Sequence, residues 1–191
     1  DVCSSDLLWE PLSFSFAAVP QAVASSPRAI ARNGMTHQEF RDVSDCMDCE
    51  RIERLERLAS HVDARGHLVE LFRDDEVTGH ADARMGYLSV TDLGVVRGPH
   101  EHARQTDCFI FCRSRFTVFL WRDCRRQKLL VPDDGYYRLF IRPGVVHAYR
   151  AESPNAVVIN LPDELYAGWR KSFPVDEVRH EDDSESPYQL W

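Results

Sequence analysis

Between residues 87 and 161 the chain reverses every few residues, and this constrains its fold more than any other feature. Apolar and β-branched runs at 87–90, 95–97, 108–112, 116–121, 129–131, 136–141, 146–149 and 156–161 are separated by turn residues such as Pro132-Asp133-Asp134-Gly135 and Ser153-Pro154-Asn155. Within one run, Tyr137, Leu139 and Ile141 alternate with Tyr136, Arg138, Phe140 and Arg142. Period two marks a strand with one face on a core and one towards water. Many short strands at short, even spacing predict an all-β sandwich or jelly roll.

The 191 residues of the chain suffice for one domain with a sizeable core. A net charge of -8 argues against a general nucleic-acid binder, while leaving local arginines free to hold an anionic small ligand. No apolar run nears the ~20 residues of a membrane span. Six cysteines are too few and too scattered for a disulfide scaffold. Cys46 and Cys49 form a CxxC with no second ligand pair at zinc spacing, and Cys108 and Cys112 sit in an apolar run. All six are read as reduced thiols of a cytoplasmic protein.

Residues 1–34 mix Ser, Ala and Pro without period. A signal peptide is considered at Phe14 to Ala24, but the apolar stretch is short, broken by Pro20 and preceded by acidic rather than basic residues. The opening DVCSSDL resembles a translated sequencing-adapter fragment. Residues 1–34 are therefore expected to be a disordered or non-native extension, with one domain over 35–191. Phe40, Val43 and Met47 lie at helical spacing, which predicts a short helix within 35–57. Ile52, Leu55, Leu58 and Val62 continue that spacing, yet Asp63-Ala64-Arg65-Gly66 is a turn and 68–72 reads as a strand, so a hairpin is expected around it. Residues 73–83 read as a polar loop, and the acidic tail 176–185 as a solvated arm.

Chemistry concentrates in Gly94-Val95-Val96-Arg97-Gly98-Pro99-His100-Glu101-His102. On an extended backbone residues two apart share a face, so His100 and His102 project together with Arg97 close by. A lone histidine is more often a satisfied core or surface residue. Two imidazoles on one face of a buried strand are costly unless a site uses them. Further on, Pro143-Gly144-Val145-Val146-His147 places another imidazole after a tight turn.

HxH followed by PGxxH about 40 residues later resembles the cupin fold. Within cupins, Asp63-Ala64-Arg65-Gly66-His67-Leu68-Val69-Glu70 is similar to the DxRGxFxE element of dTDP-4-dehydrorhamnose 3,5-epimerases, and Ser89 through His100 to their S-x4-GVLRGLH stretch. The resemblance, over about residues 52–185, implies a cupin-type jelly roll (double-stranded β-helix) preceded by a short helical or irregular extension. It implies a cytoplasmic isomerase of carbohydrate biosynthesis acting on a nucleotide-linked 4-keto deoxysugar, working without cofactor, with neither nucleic acid nor membrane as partner.

By the same resemblance His100 is the catalytic base, Arg97 a substrate-binding arginine, and Asp182 the carboxylate that orients the base. Arg65 and Glu70 fall on nucleotide-sugar contacts made across a homodimer interface. His147 falls on a substrate contact, His102 joins it, and Tyr166 matches an accessory aromatic. Two positions depart from the family. Its lysine after RGLH is replaced by Gln105-Thr106-Asp107, and its proton-donor tyrosine falls on Asn160. RGxHxH is also similar to sugar 3,4-ketoisomerases, which move a keto group.

The residue types suit such chemistry. Epimerisation beside a ketone needs a base for the α-proton, stabilisation of the enolate, and an acid; a histidine serves the first and an arginine the second. Other arginines, Arg113, Arg138 and Arg142 with Arg65, are candidates for the phosphates. A rival reading stays open. His100, His102, Asp107 and His147 match the HxHx4(E/D)…H spacing of metal-binding cupins, a set suited to one divalent metal ion and to dioxygenase or hydrolase chemistry. A non-catalytic sugar-binding cupin is the third.

Overall fold

A computed structural model describes residues 39–45, 50–73, 75, 83–166 and 175–191. The described residues form strands and turns and contain no helix. In chain order the early strands are β1 (Arg41–Asp42), β2 (Leu55–Arg57), β3 (Ser60–Asp63), β4 (Gly66–Val69) and β5 (Tyr87–Thr91). Then come β6 (Val96–Glu101), β7 (Asp107–Cys112), β8 (Phe116–Arg122) and β9 (Arg125–Val131). The last are β10 (Tyr136–Ile141), β11 (Val146–Ala151), β12 (Ala156–Asn160) and β13 (Val178–Arg179).

They make a jelly roll of two sheets, ordered β1-β9-β8-β11-β6-β13 and β2-β10-β7-β12-β5, with β3-β4 as a separate hairpin. Non-consecutive neighbours such as β11 beside β6, or β12 beside β5, are the crossovers that bring distant residues together. The expected fold class is thus the observed one.

Period two decides what each sheet contributes to the core. Phe109 and Phe111 on β7, with Tyr137, Leu139 and Ile141 on β10, face Phe116, Val118 and Leu120 on β8 and Tyr149 on β11. Each such fully buried side chain contributes about 1.5–3 kcal/mol of transfer free energy. The intervening residues Phe119 and Trp121 on β8 and Val146 and Ala148 on β11 are also buried, under Phe40, Tyr188, Leu190 and Trp191. A strand covered on both faces reads as a continuous apolar run, which is why 116–121 lacks alternation.

Several expectations are corrected. Of the helix expected within 35–57, residues 35–38 and 46–49, including Met47 and the Cys46/Cys49 pair, lie outside the described residues. The described remainder holds β1 and β2 instead. β1 pairs in parallel with β9, and Ile52 and Glu53 give their backbone N–H groups to Gln127 Oε1 at 2.8 and 3.1 Å. Sheet pairing here overrides a weak helical spacing, with Val43 and Ile52 as core residues. The hairpin around Asp63-Ala64-Arg65-Gly66 forms as expected, with Asp63 opposite Gly66. The tail 176–185 is no solvated arm, since β13 pairs with β6.

β6 runs unbroken through Gly98-Pro99, whose peptide bond is cis. Gly98 has φ +85°, and a Cβ there would stand 2.5 Å from the carbonyl oxygen of His147. Only glycine lets β6 and β11 approach so closely. Among the described residues no helix is long and apolar enough to cross a membrane.

Candidate active site

β6 and β11 pair with His100 opposite His147 and Arg97 opposite Tyr149, so the two histidine motifs meet on one wall of the roll. The ring centroids of His100 and His147 are 4.4 Å apart, those of His100 and His102 5.5 Å, and those of His102 and His147 5.7 Å. These imidazoles sit in or beneath a cavity of about 850 Å³, lined also by Tyr87, Ser89, Arg97, Gln105, Phe109, Tyr149, Tyr166, Glu177, Arg179 and Glu181.

Beneath it lies Asp107, the first residue of β7 and almost fully buried. Its Oδ2 is 3.3 Å from His102 Nε2 and 3.4 Å from His147 Nε2. Its Oδ1 accepts from Gln105 Nε2 and from Asn160 Nδ2, each at 2.8 Å. Burial would push this carboxyl up, but the neighbouring His102 and His147 imidazoles hold it well below the usual carboxylate range. Oδ2 of Asp107 and Nε2 of His147 make no conventional hydrogen bond.

The three imidazoles are not equivalent. His147 donates Nδ1–H to the carbonyl of Val145 at 3.0 Å. His102 donates Nδ1–H to the backbone carbonyl of Asp176. Although burial opposes its charge, the Asp107 carboxylate raises His102 to about 9. His100 has no hydrogen-bond partner among the described residues; the carboxylates of Glu177 and Glu181 stand 4.0 Å from its Nδ1. Burial first, and then the neighbouring His147 and His102, push it down to about 3, which makes it a neutral imidazole at neutral pH.

The other expected site residues divide. Arg97 lines the cavity, its Nε donating to Thr91 Oγ1 at 3.0 Å and an Nη to the Val90 carbonyl at 3.4 Å. Tyr166 lies on the cavity lining and is half exposed. Asn160 does not reach the cavity. It is fully buried, braces Asp107, donates to Tyr87 Oη at 2.9 Å and accepts from the Cys108 N–H.

Asp182 is exposed and does not line the cavity; Glu177 and Glu181, which do, stand 4.0 Å from His100 in the place expected for it. Arg65 is at the exposed hairpin tip, held by Asp63, and Glu70 pairs with Arg73 at 3.5 Å, so neither meets this chain's cavity. Of the other arginines, Arg138 pairs with Glu56 at 2.8 Å and Arg142 with Glu53 at 3.2 Å, while Arg113 is exposed; none lines the cavity. Sequence reasoning missed Tyr87, Ser89, Gln105, Tyr149 and the 176–181 segment. The alternation Glu177, Arg179, Glu181 is itself a period-two signal, hidden by the acidic run around it.

A family model described as "FdtA: WxcM-like, C-terminal" matches residues 50–169. The chain is 32% identical over 114 residues to a probable low-salt glycan biosynthesis epimerase of Haloferax volcanii, covering 59% of this chain and 65% of that protein. It is 30% identical over 133 residues to the spore coat polysaccharide biosynthesis protein SpsL of Bacillus subtilis, covering 59% and 85%.

Among solved structures, the sugar 3,4-ketoisomerase QdtA of Thermoanaerobacterium thermosaccharolyticum, in complex with TDP, aligns with a TM-score of 0.56 at 20% identity over 69% of this chain and 90% of that one. The RmlC epimerase of Mycobacterium tuberculosis aligns with a TM-score of 0.57 at 23% identity over 72% of each chain. At these identities the structural likeness speaks for the fold.

Proposed function

The chain belongs to the FdtA, WxcM-like C-terminal family, and from that premise we propose that it is an isomerase of nucleotide-linked 4-keto deoxysugars with His100 as its base. One observation carries the assignment: of three clustered imidazoles, His147 and His102 are held by carbonyl oxygens and by Asp107, while His100 faces the cavity without a hydrogen bond. A general base must be unprotonated and reach the substrate, and of the two imidazoles that line the cavity His100 is the neutral one.

Neutral His100 takes the proton from the carbon beside the ketone, and the electron pair moves onto the carbonyl oxygen as an enolate. Arg97 and the imidazolium of His102 supply positive charge near that oxygen, in place of the lysine the related epimerases carry. The proton then returns to carbon. A single base serves one face of the sugar, which favours exchange at C3 over inversion at both C3 and C5. It equally suits passing the proton from C3 to C4, as a 3,4-ketoisomerisation requires.

Incubation with dTDP-4-keto-6-deoxyglucose in D2O is expected to wash deuterium into C3, read by NMR. His100→Asn keeps size and polarity but removes the base, so exchange falls by roughly 10² to 10⁴. Absence of exchange from the wild-type protein with every 4-keto nucleotide sugar tried would overturn the assignment and leave a sugar-binding role.

A second reading has its own support. Ligand atoms of His100, His102 and His147 lie within 4.8 Å of one another, and Asp107 Oδ2 and His147 Nε2 are buried without a hydrogen bond. These donors would suit one divalent metal ion. Elemental analysis distinguishes the readings: the metal-free isomerase carries substoichiometric metal, whereas near-stoichiometric metal that is lost in a folded His102→Ala variant establishes the metal site.

The proposal extends to a homodimer in which Arg65 and Glu70 reach the neighbour's cavity. In support, the β3-β4 hairpin pairs with neither sheet of its own chain and exposes Val62 and Leu68.

A further inference from the structure

The loop between His102 and Asp107 is wrapped around one residue from the far end of the chain. The Asp176 carboxylate accepts the backbone N–H groups of Ala103 at 3.2 Å, Arg104 at 2.9 Å and Gln105 at 2.9 Å. Its own backbone carbonyl accepts Nδ1–H of His102. Because a carbonyl only accepts, that nitrogen must carry a proton, which leaves Nε2 to face Asp107 Oδ2 at 3.3 Å and the Gln105 side-chain amide at 3.2 Å. Gln105, oriented through its held N–H, adds its side-chain amide to Asp107 Oδ1 at 2.8 Å.

The chain that follows Asp176 is anchored twice. Next to Asp176, β13 pairs with β6, and His180 donates its N–H to the Pro99 carbonyl at 2.8 Å. Further along, Tyr188 and Trp191 pack against Trp121, with the Arg126 guanidinium 4.4 Å over the Trp191 ring.

We propose that Asp176 is a positioning residue which, by holding His102 and the 103–105 loop, commits His102 to Asp107 and leaves His100 as the unheld imidazole of the cavity. The catalytic consequence rests on the isomerase reading above; the proton on His102 Nδ1 and the orientation of its ring do not. A merely structural Asp176 would stabilise the tail without governing the His102 ring.

The test uses the full chain labelled with ¹⁵N-histidine. In the wild-type protein His102 shows a protonated Nδ1 whose proton exchanges slowly with water. In Asp176→Ala that protection is lost, and kcat for deuterium exchange falls roughly 10- to 100-fold, as for the loss of supporting partners elsewhere, with KM little changed. Asp176→Asn keeps an oxygen acceptor for the loop and regains most of both signals. If Asp176→Ala does not fold, Asp176→Ser, which retains one acceptor, is measured in its place.

A His102 Nδ1 without a proton in the wild-type protein overturns the inference. So does a folded Asp176→Ala variant with an unchanged His102 spectrum, whatever its kcat. If the wild-type protein exchanges no substrate, the isomerase reading fails, while the imidazole spectra still decide the role of Asp176.

Discussion

At the scale of single residues, Asp107 separates the roles of three identical side chains. His102 beside it is raised to about 9, whereas His100, buried near two other imidazoles, is lowered to about 3. The two shifts act oppositely on stability. His102 has a folded pKa above its unfolded value of 6.5, so its contribution is fully present below pH 6.5 and is lost as pH rises through about 9. His100 has a folded pKa below 6.5, so the unfolded chain takes up its proton first and stability declines as pH falls from 6.5 towards about 3. Urea midpoints are therefore expected to decline on both sides of neutrality. His102→Asn should flatten the alkaline limb; an alkaline limb unchanged in that variant would show that the charge is held elsewhere. The rate of deuterium exchange, needing neutral His100, should show no acid limb near pH 6.5.

At the scale of elements, the contact between β6 and β11 sets the distance between histidine motifs that lie far apart in the chain. Gly98 permits it, having φ +85° and no room for a Cβ against the His147 carbonyl oxygen. Gly98→Ala forces an L-residue into left-handed space, at about 1–2 kcal/mol, and adds a backbone clash that only separation of the strands relieves. The expected outcome is a loss of more than about 2 kcal/mol in urea unfolding, with exchange activity falling further than stability alone explains. A folded variant with wild-type stability and activity would show that β6 and β11 can part without disturbing the site. The segment carrying β13 is the opposite case: two paired residues anchored at a distance by Tyr188 and Trp191 bring Glu177 and Glu181 to the cavity and Asp176 to the 103–105 loop.

At the scale of the whole molecule, the β3-β4 hairpin is the element left without a partner sheet. Val62 is 77% and Leu68 61% exposed, and burial of two such side chains against a second copy would contribute a few kcal/mol at about 25 cal/mol per Å². Sedimentation at micromolar concentration is expected to give a dimer. Val62→Asp with Leu68→Asp should shift it to monomer with the fold intact, since neither residue joins the core. A wild-type monomer would remove the role proposed for Arg65 and Glu70.

The strands and the two histidine motifs were legible in the sequence because both depend on local pattern. Alternation in 136–141, turn residues between short runs, and the shared face of His100 and His102 are properties of neighbouring residues on an extended backbone. The helical spacing that begins at Phe40 and Val43 misled for the complementary reason, since pairing of β1 with β9 and of β2 with β10 outweighs a propensity worth only tenths of a kcal/mol per residue. Distances along the chain hid the rest. Nothing in the acidic tail marks Asp176 as the acceptor for His102, or Glu177 and Glu181 rather than Asp182 as neighbours of His100. Nor does the sequence show that Asn160 faces Asp107 instead of the cavity. The sequence alone determined a jelly roll with imidazoles on one wall. Which imidazole is held and which is free was decided by tertiary structure, because His102 bonds a carbonyl 74 positions away and its neighbour Asp107 is braced by Asn160, 53 positions away.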